Sequence, residues 1–104
     1  FNNINNHKIK LPYENINEFN TYHTFVIQSE ERDKLKNYLS KNGVETAIHY
    51  PKPIHLQPAA KKLGYKKNDF NITEAQSKKI LSLPINQFLK KYEIIQISKL
   101  INRF

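Results

Sequence analysis

The chain has 104 residues, a formal net charge of +8, no cysteine and two glycines. That length suits a single domain, which buries roughly two-thirds of its unfolded surface. The lack of cysteine excludes disulfides, thiolate metal sites and a cysteine nucleophile. No apolar run approaches the roughly 18 residues of a membrane span, and no signal-peptide pattern opens the chain.

The chain opens on Phe1 rather than Met, and its first stretch, "FNNINNHKIK", has a weak apolar pattern. The expectation is a piece of a longer polypeptide. Residues 1–20 are polar and Asn-rich and read as a linker with one extended segment at "IKLPY", where Pro12 removes a donor and disfavours helix before it. "TYHTFVIQ" (21–28) is rich in β-branched and aromatic residues. It reads as a strand with His23, Phe25 and Ile27 on one face and Tyr22, Thr24 and Val26 on the other. On such a strand His23 is a core histidine with one hydrogen-bond partner. Tyr22 is a packing residue with its hydroxyl at an edge.

Ser29 is placed to cap a helix over 30–42, with Glu30, Glu31 and Asp33 in its first turn and Gly43 as its left-handed stop. "VETAI" (44–48) alternates as a second strand. In the segment that follows, Pro51, Pro53 and Pro58 exclude a central strand and break any helix. Pro58 can open a short helix, "PAAKKLG", that Gly64 ends. Thr73 and Gln76 fit a capping box for a helix over 74–81, with Ile72 as its hydrophobic staple. "SLPI" (82–85) reads as short and extended. Ile94, Ile97, Leu100, Ile101 and Phe104 make the stripe of a last helix, with Lys90 where Ser, Thr or Asp is preferred. Strands and helices mixed in this way predict an α/β (α+β) two-layer sandwich, with a small, mainly antiparallel sheet and helices on one face.

The charge is spread in pairs, Lys61–Lys62, Lys66–Lys67, Lys78–Lys79 and Lys90–Lys91, between apolar positions. This is the pattern of a solvated surface, and no RRM, KH or zinc-finger signature accompanies it. Four histidines are present, but their spacing matches no HExxH or Cys/His metal pattern. No GxSxG nucleophile and no Gly-rich phosphate loop occurs. What remains is the stiff segment "IHYPKPIHLQP". Its prolines lower loop entropy before binding, so His49, Tyr50, His55 and Gln57 can be held toward a ligand. On residue types alone it is more simply a rigid connector with His49 and His55 satisfied by backbone groups.

The runs "YHTFVI", "RDKLKNYLSKNGVETAIHYPKPIHLQPAAKKLGY" and "AQSKKILSLPI" resemble, in order and spacing, the C-terminal part of the DegT/DnrJ/EryC/StrS-type sugar aminotransferases. The likeness covers about residues 9 to 104. Its most specific part is "GVETAIHYPKPIHLQP", which fits the family's G-(I/V)-x-T-x-x-H-Y-P-x-P-x-H-L-Q-P. Two positions depart from the family pattern: Asn71 stands for Pro in D-F-P, and Lys90 for the usual Thr or Ser cap. The resemblance implies the small domain (21–104) of a fold-type I, pyridoxal 5'-phosphate (PLP)-dependent enzyme. Such an enzyme moves an amino group, usually from glutamate, onto a keto carbon of a nucleotide-linked sugar. The cofactor is its electron sink. It also implies a homodimer with active sites at the subunit interface and a Schiff-base lysine in a larger N-terminal domain, so no catalytic residue is expected in this chain. By the same resemblance His49 and Tyr50 point at ligand, while His55 and Gln57 hold the loop or meet the partner subunit. Cytoplasmic location is expected, with neither nucleic acid nor membrane as partner. The competing expectation is a non-catalytic basic binding module that uses the Pro-rich loop 49–58.

Overall fold

The computed structural model describes residues 1 and 3–104. Three strands form one antiparallel sheet in the order β1 (Ile9–Lys10), β2 (Phe25–Ser29), β3 (Ile80–Leu83). Three α-helices accompany them: α1 (Arg32–Lys41), α2 (Asn71–Ser77) and α3 (Lys91–Arg103). Two 3₁₀ turns, Ile54–Leu56 and Pro58–Leu63, occupy the Pro-rich region. The two-layer α+β expectation holds.

The period of two in β2 and β3 divides the molecule. Phe25, Ile27, Leu81 and Leu83 point to one side and are buried with Leu35 and Leu39 of α1 and Ile97 and Ile101 of α3. Ile4, Ile9 and Val44 complete this core. Val26 and Ser82 are opposite one another across β2 and β3 and point to the other side. Helices therefore seal one face of the sheet. The Pro-rich loop and α2 approach the other.

α1 ends as Gly43 predicts. Gly43 has φ +77°, its N–H donates to Ser40 C=O, and Val44 N–H donates to Leu39 C=O. This pair of bonds is a Schellman motif, and the buried Leu39 and Val44 close it on the apolar side. Gly64, also left-handed, stops the second 3₁₀ turn where a short helix was expected.

Four elements differ from expectation, each for a local reason. The strand predicted over 21–28 begins only at Phe25. Tyr22 is left-handed at φ +48°, with its N–H on Asn20 Oδ1 and its hydroxyl on Glu14. A strand cannot run through that conformation. Ser29 does not cap α1. Its N–H donates to Lys79 C=O, so it stays in the sheet as the last residue of β2, and its hydroxyl accepts the Glu31 N–H. "VETAI" contributes a single bridged residue, Ala47, opposite Ser82. Pro84 offers no donor to extend that pairing one way, and the Ile80 carbonyl accepts from Arg32 the other way. Finally, α2 starts three residues early, at Asn71. Thr73 lies inside it rather than at its cap, and Ile72 is exposed instead of stapling. The residues expected to finish that helix, 80 and 81, open β3.

α3 solves its poor cap from the other end. Lys90 has no acceptor to offer, but the Glu93 carboxylate accepts the Lys90 N–H at 2.7 Å. The first residues run beside the end of α3. Asn5 N–H donates to Asn102 Oδ1, Asn102 Nδ2 to Asn3 C=O, and Asn6 Nδ2 to Ile101 C=O, each at 2.8 Å. Among the described residues no helix is long and apolar enough to cross a membrane.

Ile27 has no exposed surface and lies on the central strand, whereas Ile16 is 98% exposed. Ile27→Ala is expected to lower unfolding free energy by about 3 kcal/mol, and Ile16→Ala by less than about 0.5 kcal/mol. Urea denaturation of the two variants checks both values.

Candidate functional site

The loop leaves the sheet at Ala47 and returns to it two residues later through a side chain. Ala47 and Ser82 exchange both backbone hydrogen bonds, at 3.1 and 2.7 Å. His49 Nδ1 then lies 2.9 Å from Ser82 Oγ. Ser82 is buried, while His49 is largely exposed. The His49–Tyr50 peptide is cis. The Tyr50 ring stands edge-on to the His49 ring at 5.8 Å between centroids and is 66% exposed.

The second anchor lies at His55. Its Nε2 is 3.0 Å from Glu74 Oε1, and both residues are buried. The same carboxylate oxygen accepts the N–H of Asn68, a left-handed residue, at 2.7 Å. One acid on α2 thereby ties down both the loop and the 64–70 connection. Phe70 packs on the His55 ring at 4.8 Å, and Tyr65 on Phe70 at 5.1 Å. Burial is the largest influence on the Glu74 carboxyl and raises its pKa. The His55 and Asn68 hydrogen bonds, the His55 charge and the Phe70 N–H together outweigh it, so the group sits below the ordinary carboxylate range. Gln57 closes the loop on itself, donating from Nε2 to Lys52 C=O at 3.2 Å.

Two clefts flank this loop, and His49 lines both. One, of about 380 Å³, is walled by His23, Glu45, Thr46, His49, Ser82 and Asn86 among others. The second, of about 310 Å³, includes His49, Tyr50, Lys52, Thr73 and Gln76. The four expected site residues thus divide into two outward ones, His49 and Tyr50, and two inward ones, His55 and Gln57. His23 corrects the expectation of a core histidine. The turn at Tyr22 ends the strand before it, and the residue is exposed at the first cleft. Glu74 and Ser82, which locate the two histidines, fall within the stretch that resembles the family, but nothing in the sequence marks them as partners of the histidines. A buried acid or hydroxyl partner is what two histidines in a stiff loop require, but its position is a matter of tertiary packing.

The cofactor question turns on lysine. A lysine that forms a Schiff base needs a desolvated pocket to lower its pKa. No lysine among the described residues is buried.

Known proteins give a consistent picture. A model of the DegT/DnrJ/EryC1/StrS aminotransferase family matches residues 2–102. The erythromycin biosynthesis sensory transduction protein EryC1 of Saccharopolyspora erythraea is 43% identical over 70 residues, 67% of this chain and 19% of that protein. The dTDP-3-amino-3,6-dideoxy-alpha-D-galactopyranose transaminase of Aneurinibacillus thermoaerophilus is 31% identical over 97% of this chain and 27% of its own length. The crystal structure of S. venezuelae DesV in complex with a ketimine intermediate superimposes with a TM-score of 0.88 at 28% identity, over 92% of this chain and 26% of that one. The chain therefore spans between about a fifth and just over a quarter of the length of these proteins.

The Glu74 geometry gives a signed pH dependence. A carboxyl whose pKa is lower folded than unfolded stabilises the fold above its unfolded pKa, and loses that contribution as pH falls through the folded one. Glu74→Gln is expected to melt below wild type at neutral pH. The gap should narrow below the ordinary carboxylate pKa of about 4.3. Thermal unfolding by circular dichroism at about pH 7 and about pH 3.5 reads the two gaps, and equal gaps would contradict the assignment.

Proposed function

Because the chain belongs to the DegT/DnrJ/EryC1/StrS aminotransferase family, we propose that it is the small domain of a PLP-dependent enzyme acting on nucleotide sugars. The enzyme would transfer an amino group from glutamate to a keto carbon of the sugar, in amino-sugar or polysaccharide biosynthesis. Residues 21–104 form the bulk of that domain, and residues 1–20, which add β1 to its sheet and Ile4 and Ile9 to its core, lead into it from a larger one. The observation that carries this reading is the 31% identity to a sugar-nucleotide transaminase across 97% of the chain. The outward-facing His49 and Tyr50 on a doubly anchored loop support it from the side of geometry.

PLP, when bound, supplies the electron sink for the reaction. It would sit on the rest of the protein, since no lysine described here is buried. This chain's part is orientation and exclusion of water. Pro51, Pro53 and Pro58 restrict the loop before it meets a ligand, which reduces the entropy lost on binding. His49 and Tyr50 meet the nucleotide sugar. His55 and Gln57 hold the loop in shape or touch a second subunit, in a homodimer whose active sites lie at the interface. Lys52, which lines the second cleft beside His49 and Tyr50, is suited to the negative charge of a diphosphate. Such an enzyme works in the cytoplasm, where nucleotide sugars and glutamate meet.

In the whole protein, His49→Ala is expected to lower kcat/KM for the nucleotide sugar by roughly tenfold to a hundredfold, the cost of one hydrogen bond to a charged group. The visible absorbance of the cofactor should be unchanged. Steady-state kinetics with substrate and a cofactor spectrum check this. Wild-type kinetics in the variant would remove His49 from the site.

A further inference from the structure

Ser82 is the point at which sheet and loop meet, and its hydrogen-bonding groups can be counted completely. Its backbone N–H donates to Ala47 C=O and its C=O accepts from Ala47 N–H. Leu81 and Leu83, its neighbours in β3, enter the helix-facing core, so the Ser82 side chain faces the loop. The residue is 6% exposed. A buried hydroxyl needs an acceptor for its hydrogen. Among the described residues the one hydrogen-bond partner of Ser82 Oγ is His49 Nδ1, at 2.9 Å.

Two arrangements fit that distance. If Nδ1 carried the proton it would donate to Oγ, and the hydroxyl hydrogen would have no protein acceptor among the described residues. If Ser82 donates to an unprotonated Nδ1, every group is satisfied and the ring proton is on Nε2. We propose that Ser82 is a positioning residue that fixes His49 in the Nε2–H form, presenting a single N–H donor to a ligand oxygen. No protein group bonds Nε2 among the described residues. The ring forms part of the wall of both clefts. The ligand class that this donor recognises is an oxygen acceptor, such as a phosphoryl, hydroxyl or carbonyl oxygen. The tautomer assignment stands on the geometry of this chain. Its bearing on ligand binding rests on the reading of His49 given above.

The test separates the two. Long-range ¹H–¹⁵N correlation spectra of the uniformly ¹⁵N-labelled chain, taken at alkaline pH, report the tautomer of each histidine. Wild type should show His49 as a single Nε2–H form. Ser82→Ala should move His49 to the mixture of an unrestrained imidazole and leave the His55 signals in place, which also shows that the fold survives. Ser82→Thr, which keeps the hydroxyl, should restore the single form. A protonated Nδ1 in wild type, or a His49 unmoved by Ser82→Ala, overturns the proposal. In the whole protein, Ser82→Ala should raise KM for the nucleotide sugar by roughly tenfold with little change in kcat, as expected for one lost ground-state hydrogen bond. A shifted tautomer with an unchanged KM would leave Ser82 as the residue that sets His49 and overturn the placement of His49 at the ligand.

Discussion

The alternation of one four-residue strand governs the rest of the molecule. Leu81 and Leu83 of β3 are driven into the core by burial, at roughly 1.5–3 kcal/mol for a fully buried leucine. Because the period is two, that preference forces Ser82 to the opposite face. A register slip of one residue would put a hydroxyl among Leu35, Leu39, Ile97 and Ile101, and two leucines in the loop's place. The site therefore inherits its precision from the hydrophobic core. Ser82 is held from both edges, by β2 on one side and Ala47 on the other. Whatever bonds to its hydroxyl shares that rigidity.

The loop uses its two histidines in opposite ways. His55 faces inward to a buried carboxylate, an arrangement that costs desolvation and contributes geometry more than stability. Glu74 recovers part of that cost by also accepting the Asn68 N–H. His49 is fixed by one ring nitrogen, with the rest of the ring open. Prolines between and beyond these anchors limit what the intervening backbone can explore. A segment without regular secondary structure is held by two side-chain bonds to two different elements, β3 and α2.

Much of this was readable in the sequence where a single local rule decides the outcome. Gly43 after an amphipathic run marks a helix end because a left-handed residue is needed there, and Gly64 does the same. The stripe Ile94, Ile97, Leu100, Ile101 found α3 despite Lys90, since an apolar face outweighs a missing cap. Errors arose where two local rules competed. "TYHTFVIQ" has strand composition throughout, but hydrogen bonds that Tyr22 donates to Asn20 Oδ1 and the Glu14 carboxylate hold it in a turn. Thr73 and Gln76 form a plausible capping box, yet α2 begins at Asn71 and takes Thr73 into its first turn, while Glu74, one residue on, turns to His55 and Asn68. The loop's outward and inward residues followed from a family resemblance. Their anchors, Ser82 and Glu74, lie 33 and 19 residues away in sequence from the histidines they hold, and no short-range pattern connects them.

The asparagine bonds between residues 3–6 and the end of α3 bring the two ends of the chain side by side. Topologically the segment between residues 3 and 102 is almost a closed ring. A short covalent link between those two positions would follow a path that the fold already takes, while removing the entropy of a long loop in the unfolded chain. The opening that such a ring requires could then be moved to an exposed connection such as 64–70 or 86–89, away from the strands. The order in which the elements occur along the chain is thus separable from the arrangement that they reach.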